Sequence, residues 1–398
     1  MKTKKFYNIG VFYFIVTSII FTTSIAGPDN EKINIMHLVL KNVTPTTIVS
    51  IIGLVIIVSS VIHKKFTLDL ILMLLLARIP LVLITTLYIE EMPNFYGYLL
   101  TTLLCAISYY IARNCVDDPL KLKRIVLILY LWLCFQTMLE SYLSPVSYFE
   151  DTYFYKNDLI IPIGGSNAIA TRVIPCFAFC FCCYKNKWHK FLMTVVLFIT
   201  LGLTKSRSGI LAAIVVLAIL LVWKGNINIK KICQMICVLF FSGLLLLFLI
   251  SKTKVGQYVF YNNGSTIFNR LNRWDQAVDL FLKYPLFGTG YLSQAAEINP
   301  HNWIVSILAR GGIIGCMLAI VILFLILSRL KGKYKNDIIR GSICFAVAML
   351  IQGLAEITLF TSTHDFFFWF FIGLAMRQSR VVGEIGEDSC NTLKEPIG

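Results

Sequence analysis

Two arginines and a histidine stand close together in the longest polar interval of this chain. Arg270 and Arg273 lie in the sequence FNRLNRWDQAVDLFLKYPLFGTGYLSQAAEINPHN, which ends with His301 and Asn302. Guanidinium groups grip phosphate oxygens in pairs, and an imidazole can accept a proton near neutral pH. These residue types therefore predict an anion site beside a general base. The alternatives are a solvated face that touches anionic lipid head groups and an interfacial histidine with a structural hydrogen bond.

A third arginine, Arg207, lies in the polar sequence Lys205-Ser-Arg-Ser-Gly209, which divides a long apolar stretch. Basic loops on both sides predict a hairpin over residues 191–223. Each apolar arm has 14 residues, which as a helix span ~21 Å of the ~30 Å hydrocarbon core. Either the tip dips into the outer leaflet or the arms use polar flanks. Arg207 then marks a functional pocket, or it belongs to a turn whose cations snorkel to water.

Further polar residues could line a cavity at the same membrane depth. Arg310 lies about two turns into the apolar run that begins at Trp303, where an arginine needs polar surroundings. Glu356, His364 and Asp365 flank the last outer turn and could line the same cavity.

Neither a metal nor a cofactor is expected. Glu150, Asp151 and Asp158 could hold a cation, but no metal motif stands out. The 12 cysteines fall in apolar runs or in segments predicted inside, so no disulfide framework is implied.

The elements that must position these residues are membrane helices. The chain has 398 residues, of which 57% are hydrophobic, and its mean hydropathy is +0.76. Apolar runs near 20 residues recur, and each can cross a bilayer as a helix. We therefore predict an all-α polytopic membrane protein with about 12 transmembrane helices. The predicted spans are 6–25, 45–62, 67–89, 95–112, 125–143, 161–184, 191–204, 210–223, 232–250, 303–327, 341–359 and 361–377.

Charge predicts the sidedness of these spans. The net charge is +15, and most of the cationic residues fall in alternate loops, as the positive-inside rule expects. This pattern explains the charge without nucleic acid. It predicts cytoplasmic termini, an extracytoplasmic loop over 251–302, one transmembrane domain over 1–380 and a short cytoplasmic tail over 381–398. The first span resembles a signal peptide, but its long apolar part favours a retained helix.

An amphipathic helix at the membrane surface is predicted within the outer loop. Its start has polar capping residues, namely Asn269, Asn272 and Asp275. Its apolar stripe consists of Trp274, Val278 and Phe281. Its end is expected near Tyr284, because Pro285 disfavours helical backbone in the residue before it.

The order of motifs over roughly 160–377 resembles the bacterial O-antigen ligase and polymerase superfamily. Its members share five motifs with this chain: Gly165-Ser166-Asn167-x2-Ala170, Thr204-Lys-Ser-Arg207-Ser-Gly209, Arg270-x3-Trp274 running on to Tyr284-Pro-Leu-Phe-Gly-Thr-Gly290, His301-Asn302, and Gly311-Gly312-x2-Gly315. Each motif alone is weak, and the resemblance rests on their order.

The resemblance implies a metal-independent glycosyltransferase on the extracytoplasmic face of the bacterial cytoplasmic (inner) membrane. Its donor would be a glycan on undecaprenyl pyrophosphate. Arg207 and Arg270 would bind the pyrophosphate, and His301 would activate the acceptor hydroxyl. Four further residues could bind substrate: Asn167, Arg273, Asn302 and Arg310. A flippase and a chain-length regulator of the same pathway are the expected protein partners.

Three activities fit the resemblance to different degrees. Only ten residues separate Gly290 from His301, whereas ligases often have a longer interval there. We therefore favour polymerisation of repeat units into O-antigen or capsular polysaccharide. The alternatives are an O-antigen ligase that transfers glycan to lipid A core and a flippase or other transporter. A transporter should show repeats or mid-span charges in both halves, whereas the charged candidates here concentrate in the second half.

Overall fold

The computed structural model describes residues 9–22, 24–26, 32–34, 45–62, 67–88, 95–143, 166–204, 206–223, 264–290, 298, 300–356, 359 and 365–391. Within these residues, six helices end before residue 166: α1 (Ile9–Thr22), α2 (Pro45–Ile62), α3 (Leu70–Leu76), α4 (Arg78–Tyr88), α5 (Phe95–Cys115) and α6 (Pro119–Leu143). Seven more of the described helices begin at residue 166 or later: α7 (Ser166–Cys183), α8 (Lys187–Leu203), α9 (Arg207–Val222), α10 (Gly264–Lys283), α11 (Trp303–Leu330), α12 (Asp337–Gln352) and α13 (Asp365–Asn391). Strands β1 (Ser24–Ala26) and β2 (Lys32–Asn34) form a short antiparallel ribbon.

The prediction of a helical architecture is confirmed for the described residues apart from this ribbon. In the described part of the chain, two helices, Pro119–Leu139 and Trp303–Leu330, are long and apolar enough to cross a membrane, and five others are apolar over shorter lengths. The count of 12 spans stays a prediction. The span predicted at 232–250 lies outside the described residues.

Polar side chains set several of the helix starts. Asp69, Asn186, Ser206, Asn302 and Asn336 each accept hydrogen bonds from backbone N–H groups of the first turn that follows. Such caps satisfy donors that have no partner inside a helix. The caps place several helix starts within a few residues of the predicted spans.

Two helices near the C-terminus end at residues other than the ends of the predicted spans. The predicted span 341–359 ends as a helix at Gln352, because the carbonyl of Gly353 accepts from the backbone N–H of Trp303 at 3.0 Å instead of continuing the turn. The predicted span 361–377 continues as α13 to Asn391, well into the expected tail. Hydropathy falls there, but no proline interrupts the backbone before Pro396.

The core is built around aromatic side chains of α13. Residues 366–371, with the sequence FFFWFF, are at most 3% exposed. α13 packs against α5 and α12, and α12 packs against α7. Phe371 stacks on Phe345 of α12 with ring centroids 3.9 Å apart, and Phe370 meets Phe14 of α1 at 4.7 Å. A helix that is apolar on all sides is expected to be buried on all sides.

Charged residues join helix ends at the side of the bundle where the predicted inner loops lie. Asp69, which caps α3, contacts Arg113 at the end of α5 at 3.1 Å and Arg329 at the end of α11 at 3.2 Å. Arg377 of α13 pairs with Asp117 in the α5–α6 loop. Loops assigned to one side by the charge rule are therefore neighbours in the structure.

A turn after α10 interlocks with a break in α11. The backbone of α11 leaves the helical region at Gly312, where φ is 59°. The N–H groups of Ile313 and Ile314 donate instead to Pro285 and Leu286, at 2.9 and 3.1 Å. In return, the N–H groups of Thr289 and Gly290 donate to the carbonyls of residues 309 and 310, at 3.0 and 2.9 Å. The two glycine-containing motifs thus form one structural unit.

We expect Gly312→Ala to prevent stable folding and Gly311→Ala to be tolerated. A Cβ at position 312 would lie 2.5 Å from the Leu286 carbonyl oxygen and 2.6 Å from the Gly288 nitrogen, at a positive φ. The backbone of Gly312, with φ 59° and ψ −160°, lies in a region that is essentially restricted to glycine and costs another residue about 1–3 kcal/mol. A Cβ at position 311 meets nothing within 4 Å. The yield and thermal midpoint of detergent-purified protein measure the difference, and equal losses in both variants would contradict the interlock.

Candidate active site

The ends of four helices bring the predicted site residues together. Asn167 is at the start of α7, Ser206 caps α9, His301 lies just before α11, and Glu356 follows α12 by four residues. The predicted topology assigns all four ends to the outer side. Because they are also neighbours in space, the topology and the structure agree that these residues share one side of the bundle.

Glu356 connects the histidine to the first of these ends. Its Oε2 lies 3.0 Å from His301 Nδ1, and its Oε1 accepts a hydrogen bond from Asn167 Nδ2 at 2.6 Å. Both carboxylate oxygens are therefore engaged by side chains from different helices. The side chain of Glu356 is 17% exposed, so this carboxylate is largely shielded from water.

Asn167 extends the connection to the arginine-containing tip of the α8–α9 hairpin. Its Oδ1 accepts hydrogen bonds from the hydroxyls of Ser206 at 2.9 Å and Ser208 at 3.3 Å. Ser206 Oγ in turn accepts from the N–H of Gly209 at 3.1 Å. A continuous hydrogen-bond chain thus runs from His301 through Glu356 and Asn167 to the two serines that flank Arg207.

The hairpin tip is recessed rather than solvated. Thr204 and Ser206 are both 0% exposed. α8 begins at Lys187, four residues before the predicted arm, so its polar flank forms part of the helix. With 17 residues it spans about 25 Å. Arg207 is the first residue of α9, and its side chain lies outside the described part.

The opposite ring nitrogen of His301 faces α10. Arg273 Nη1 lies 3.2 Å from His301 Nε2. A guanidinium can only donate hydrogen bonds, so Nε2 must present its lone pair, and the ring proton must be on Nδ1, where it donates to Glu356. The hydrogen-bond network thereby assigns a neutral imidazole whose acceptor nitrogen is Nε2.

The backbone conformation at His301 and the hydrogen bonds of its neighbours set the orientation of this imidazole. His301 has a φ of 48°, and among the described residues it is the only non-glycine residue with a positive φ. Such backbone strain costs a non-glycine residue about 1–3 kcal/mol and tends to occur at functional sites. Trp274 Nε1 donates to the Pro300 carbonyl at 2.6 Å on one side. On the other side, Asn302 caps α11 and also donates to the Leu354 carbonyl at 3.2 Å.

The charges around Glu356 keep it ionised. Burial raises the pKa of this carboxyl group, but the hydrogen bonds from His301 and Asn167 and the positive charge of Arg270 lower it. The net effect is a pKa below the ordinary value for a glutamic acid. An ionised Glu356 can hold the Nδ1 proton of His301 and stabilise an imidazolium after Nε2 takes up a second proton.

The start predicted for the helix that carries Arg270 and Arg273 is wrong. α10 begins at Gly264, so Asn269, Asn272 and Asp275 lie inside it. Asn272 and Asp275 are solvent-exposed, where their side chains can turn to water instead of competing for backbone groups. The end at Lys283 agrees with the prediction. The earlier start places Arg270 and Arg273 within the helix, one turn apart on the same side.

The remaining predicted residues differ in where the structure places them. Arg310 is half-buried in α11. The amide of Asn302 forms hydrogen bonds to the backbone through both its oxygen and its nitrogen. Asp365, 0% exposed, accepts a hydrogen bond from Cys105 of α5 at 3.7 Å. His364 lies outside the described residues, as do Glu150, Asp151 and Asp158. Over the described residues, no group of three or more His, Cys, Asp or Glu side chains is placed to hold a metal.

The sequence did not predict the contact of Glu356 with His301. Glu356 was expected only to line a common cavity, and nothing in its local sequence marks it as the partner of a histidine 55 residues away. The one signal available is that an acidic residue in an apolar outer turn needs a partner.

Comparison with known proteins identifies part of the chain. No curated protein matches it. Residues 192–320 match the family model described as O-antigen ligase. This segment contains Ser206, Arg207, Arg270, Arg273 and His301. Over this segment the chain is similar to a family of glycosyl-transferring enzymes, and its apolar helices fit a membrane protein. The match over 192–320 confirms the resemblance of this chain to the O-antigen polymerase and ligase superfamily.

Proposed function

We propose that this protein is a polysaccharide polymerase that uses glycans on undecaprenyl pyrophosphate. The observation that carries the proposal is the placement of His301 between Glu356 and Arg273. A neutral imidazole with its proton held on one side and its lone pair on the other is the arrangement that a general base requires. The arginines beside it supply positive charge for an anionic leaving group.

The donor would bind with its pyrophosphate beside Arg270, within α10. Arg270 already acts on Glu356 through its charge, and the start of α9 brings Arg207 to the same group of helix ends. The positive ends of the dipoles of α7, α9 and α11 also point to this side. Arginine charge can stabilise a departing lipid pyrophosphate without a divalent cation, so we infer that no metal is needed.

The acceptor would be the free end of a second lipid-linked glycan. Its hydroxyl would donate its proton to His301 Nε2 as its oxygen forms a bond to the anomeric carbon of the donor sugar. The bond from that carbon to the pyrophosphate oxygen breaks, and the electron pair leaves with the lipid pyrophosphate. The imidazolium formed in this step is stabilised by Glu356 through the Nδ1 proton.

The ten-residue interval between Gly290 and His301 favours a polymerase. The family description, O-antigen ligase, favours transfer of the glycan to lipid A core, and this is the second candidate. Both reactions use the same donor and the same base, and they differ in the acceptor. The glycan flippase remains the alternative without covalent chemistry.

We place this site on the extracytoplasmic face of the bacterial inner membrane. The apolar runs support about 12 spans over 1–380, and the bias in basic residues supports cytoplasmic termini, with a tail over 381–398, and an outer loop over 251–302. α10 would then lie in that loop at the membrane surface. Reporters fused after Lys65, Lys190, Lys231 and Arg340 should be cytoplasmic, and one within 251–302 extracytoplasmic.

The direct test supplies purified protein with undecaprenyl-pyrophosphate-linked repeat units in the presence of EDTA. A polymerase yields a ladder of longer lipid-linked glycans from this substrate alone. A ligase yields no ladder, but it yields glycan-bearing lipid A core when that acceptor is added. Transport of the substrate across vesicles without any new glycosidic bond would overturn both proposals, and a cytoplasmic readout from 251–302 would place the site on the wrong side.

A further inference from the structure

The lone pair that the proposed base must use is already occupied. Arg273 Nη1 lies 3.2 Å from His301 Nε2, in the position from which an acceptor hydroxyl would donate its proton. The other ring nitrogen is held by Glu356 at 3.0 Å. The structure thus shows a histidine with the right tautomer for a general base but with its basic nitrogen covered.

We propose that Arg273 is a guard of this base. By this we mean that its side chain covers Nε2 of His301 until the pyrophosphate of the donor draws that side chain away. In this view, which rests on the function proposed above, Arg273 covers Nε2 until donor binds. It then turns to the phosphate oxygens and opens Nε2 to the acceptor hydroxyl. The donor therefore binds before the acceptor can be activated.

The charges of the site support such an exchange of partners. Imidazole is a neutral acceptor, whereas pyrophosphate is an anion that a guanidinium can bind through two parallel hydrogen bonds, and charge-assisted bonds are roughly twice as strong as neutral ones. Arg273 is half-buried and lies one turn after Arg270 on α10. An anion bound at Arg270 would thus lie within reach of Arg273.

The histidine would keep its orientation while the guard moves. Glu356 holds Nδ1 independently of Arg273, and Glu356 is itself fixed by Asn167 at 2.6 Å. The Trp274 hydrogen bond to the Pro300 carbonyl ties α10 to the residue before His301. Only the Arg273 side chain has to change position, so the exchange needs no movement of a helix.

The experiment measures how fast diethyl pyrocarbonate, which reacts with an uncovered imidazole nitrogen, modifies His301 in the purified full-length protein. Mass spectrometry of the peptide that contains His301 reports this residue separately from the other four histidines. Without any substrate, we expect Arg273→Ala to be modified roughly tenfold faster than wild type, since a hydrogen bond from a charged donor has been lost. Arg273→Lys, which keeps a donor, should remain closer to wild type. Gln276→Ala, an exposed change on the same helix, serves as the matched control.

Geranyl pyrophosphate is the probe for the donor. It should accelerate modification of His301 in wild type and leave Arg273→Ala unchanged. Equal rates for wild type and Arg273→Ala without the probe, or slower modification of wild type with the probe, would overturn the guard. The glycan-ladder assay separates this result from the proposed function. If the protein forms a ladder but His301 is modified at equal rates in wild type and Arg273→Ala, the guard proposal fails and the proposed function stands.

Discussion

Replacing His301 with alanine is expected to lower turnover by about 10²–10⁴-fold, the usual contribution of a general base. Binding of the donor should change little, because Nε2 faces the acceptor and the pyrophosphate contacts lie on the arginines. The measurement pairs the rate of glycan-ladder formation with the affinity for a radiolabelled lipid-linked donor, both in purified protein.

His189 supplies the control for this substitution. It is exposed on α8, where its ring meets Tyr184, and α8 begins beside a loop that is predicted inside. His189→Ala should therefore retain full activity. Unchanged turnover in His301→Ala would remove the assignment of the base, and a loss of donor binding would move His301 into the pyrophosphate site.

Arg207→Ala and Arg270→Ala are each expected to abolish most polymer formation. The departing pyrophosphate carries negative charge that these side chains would stabilise as it develops. Lysine should restore only a small part of the activity, because it keeps the charge but loses the planar pair of donors. Inorganic pyrophosphate should inhibit wild type and should inhibit the alanine variants more weakly.

Protein amount must be measured beside activity, because either arginine could support the fold. Lys283, an exposed cation at the other end of α10, is the matched control, and Lys283→Ala should remain active. Near-normal polymer from both arginine variants at normal protein levels would refute pyrophosphate binding at these residues.

Apolar runs predicted the middle of each helix better than its ends. Some ends agree with the prediction, since α2 occupies the predicted 45–62 and α11 begins at the predicted Trp303, but others do not. Hydropathy identifies segments that are apolar enough to lie in a bilayer, whereas the residue at which a helix ends depends on capping hydrogen bonds. α12 ends at Gln352 because the next carbonyl is used by Trp303, a contact between segments 50 residues apart that no local pattern contains.

The site was predictable in its residue types but not in its pairings. The chemistry of Arg270 and His301 can be inferred from their side chains and from the family resemblance. The contact of Arg273 with His301 depends on the positive φ of His301 and on the bond from Trp274 to Pro300. Both features arise only when α10 and α11 are packed, so the sequence assigned Arg273 only to possible substrate binding and not to a contact with His301.

The interlock between the 285–290 turn and α11 has a consequence for membrane insertion. A helix broken at Gly312 leaves backbone groups that lipid cannot satisfy, at several kcal/mol for each group. The turn that satisfies them precedes α11 in the chain and is therefore synthesised first. On the predicted topology, the 285–290 turn must therefore pack against residues 309–314 before α11 is stable in the bilayer, so the insertion of α11 depends on the segment that precedes it.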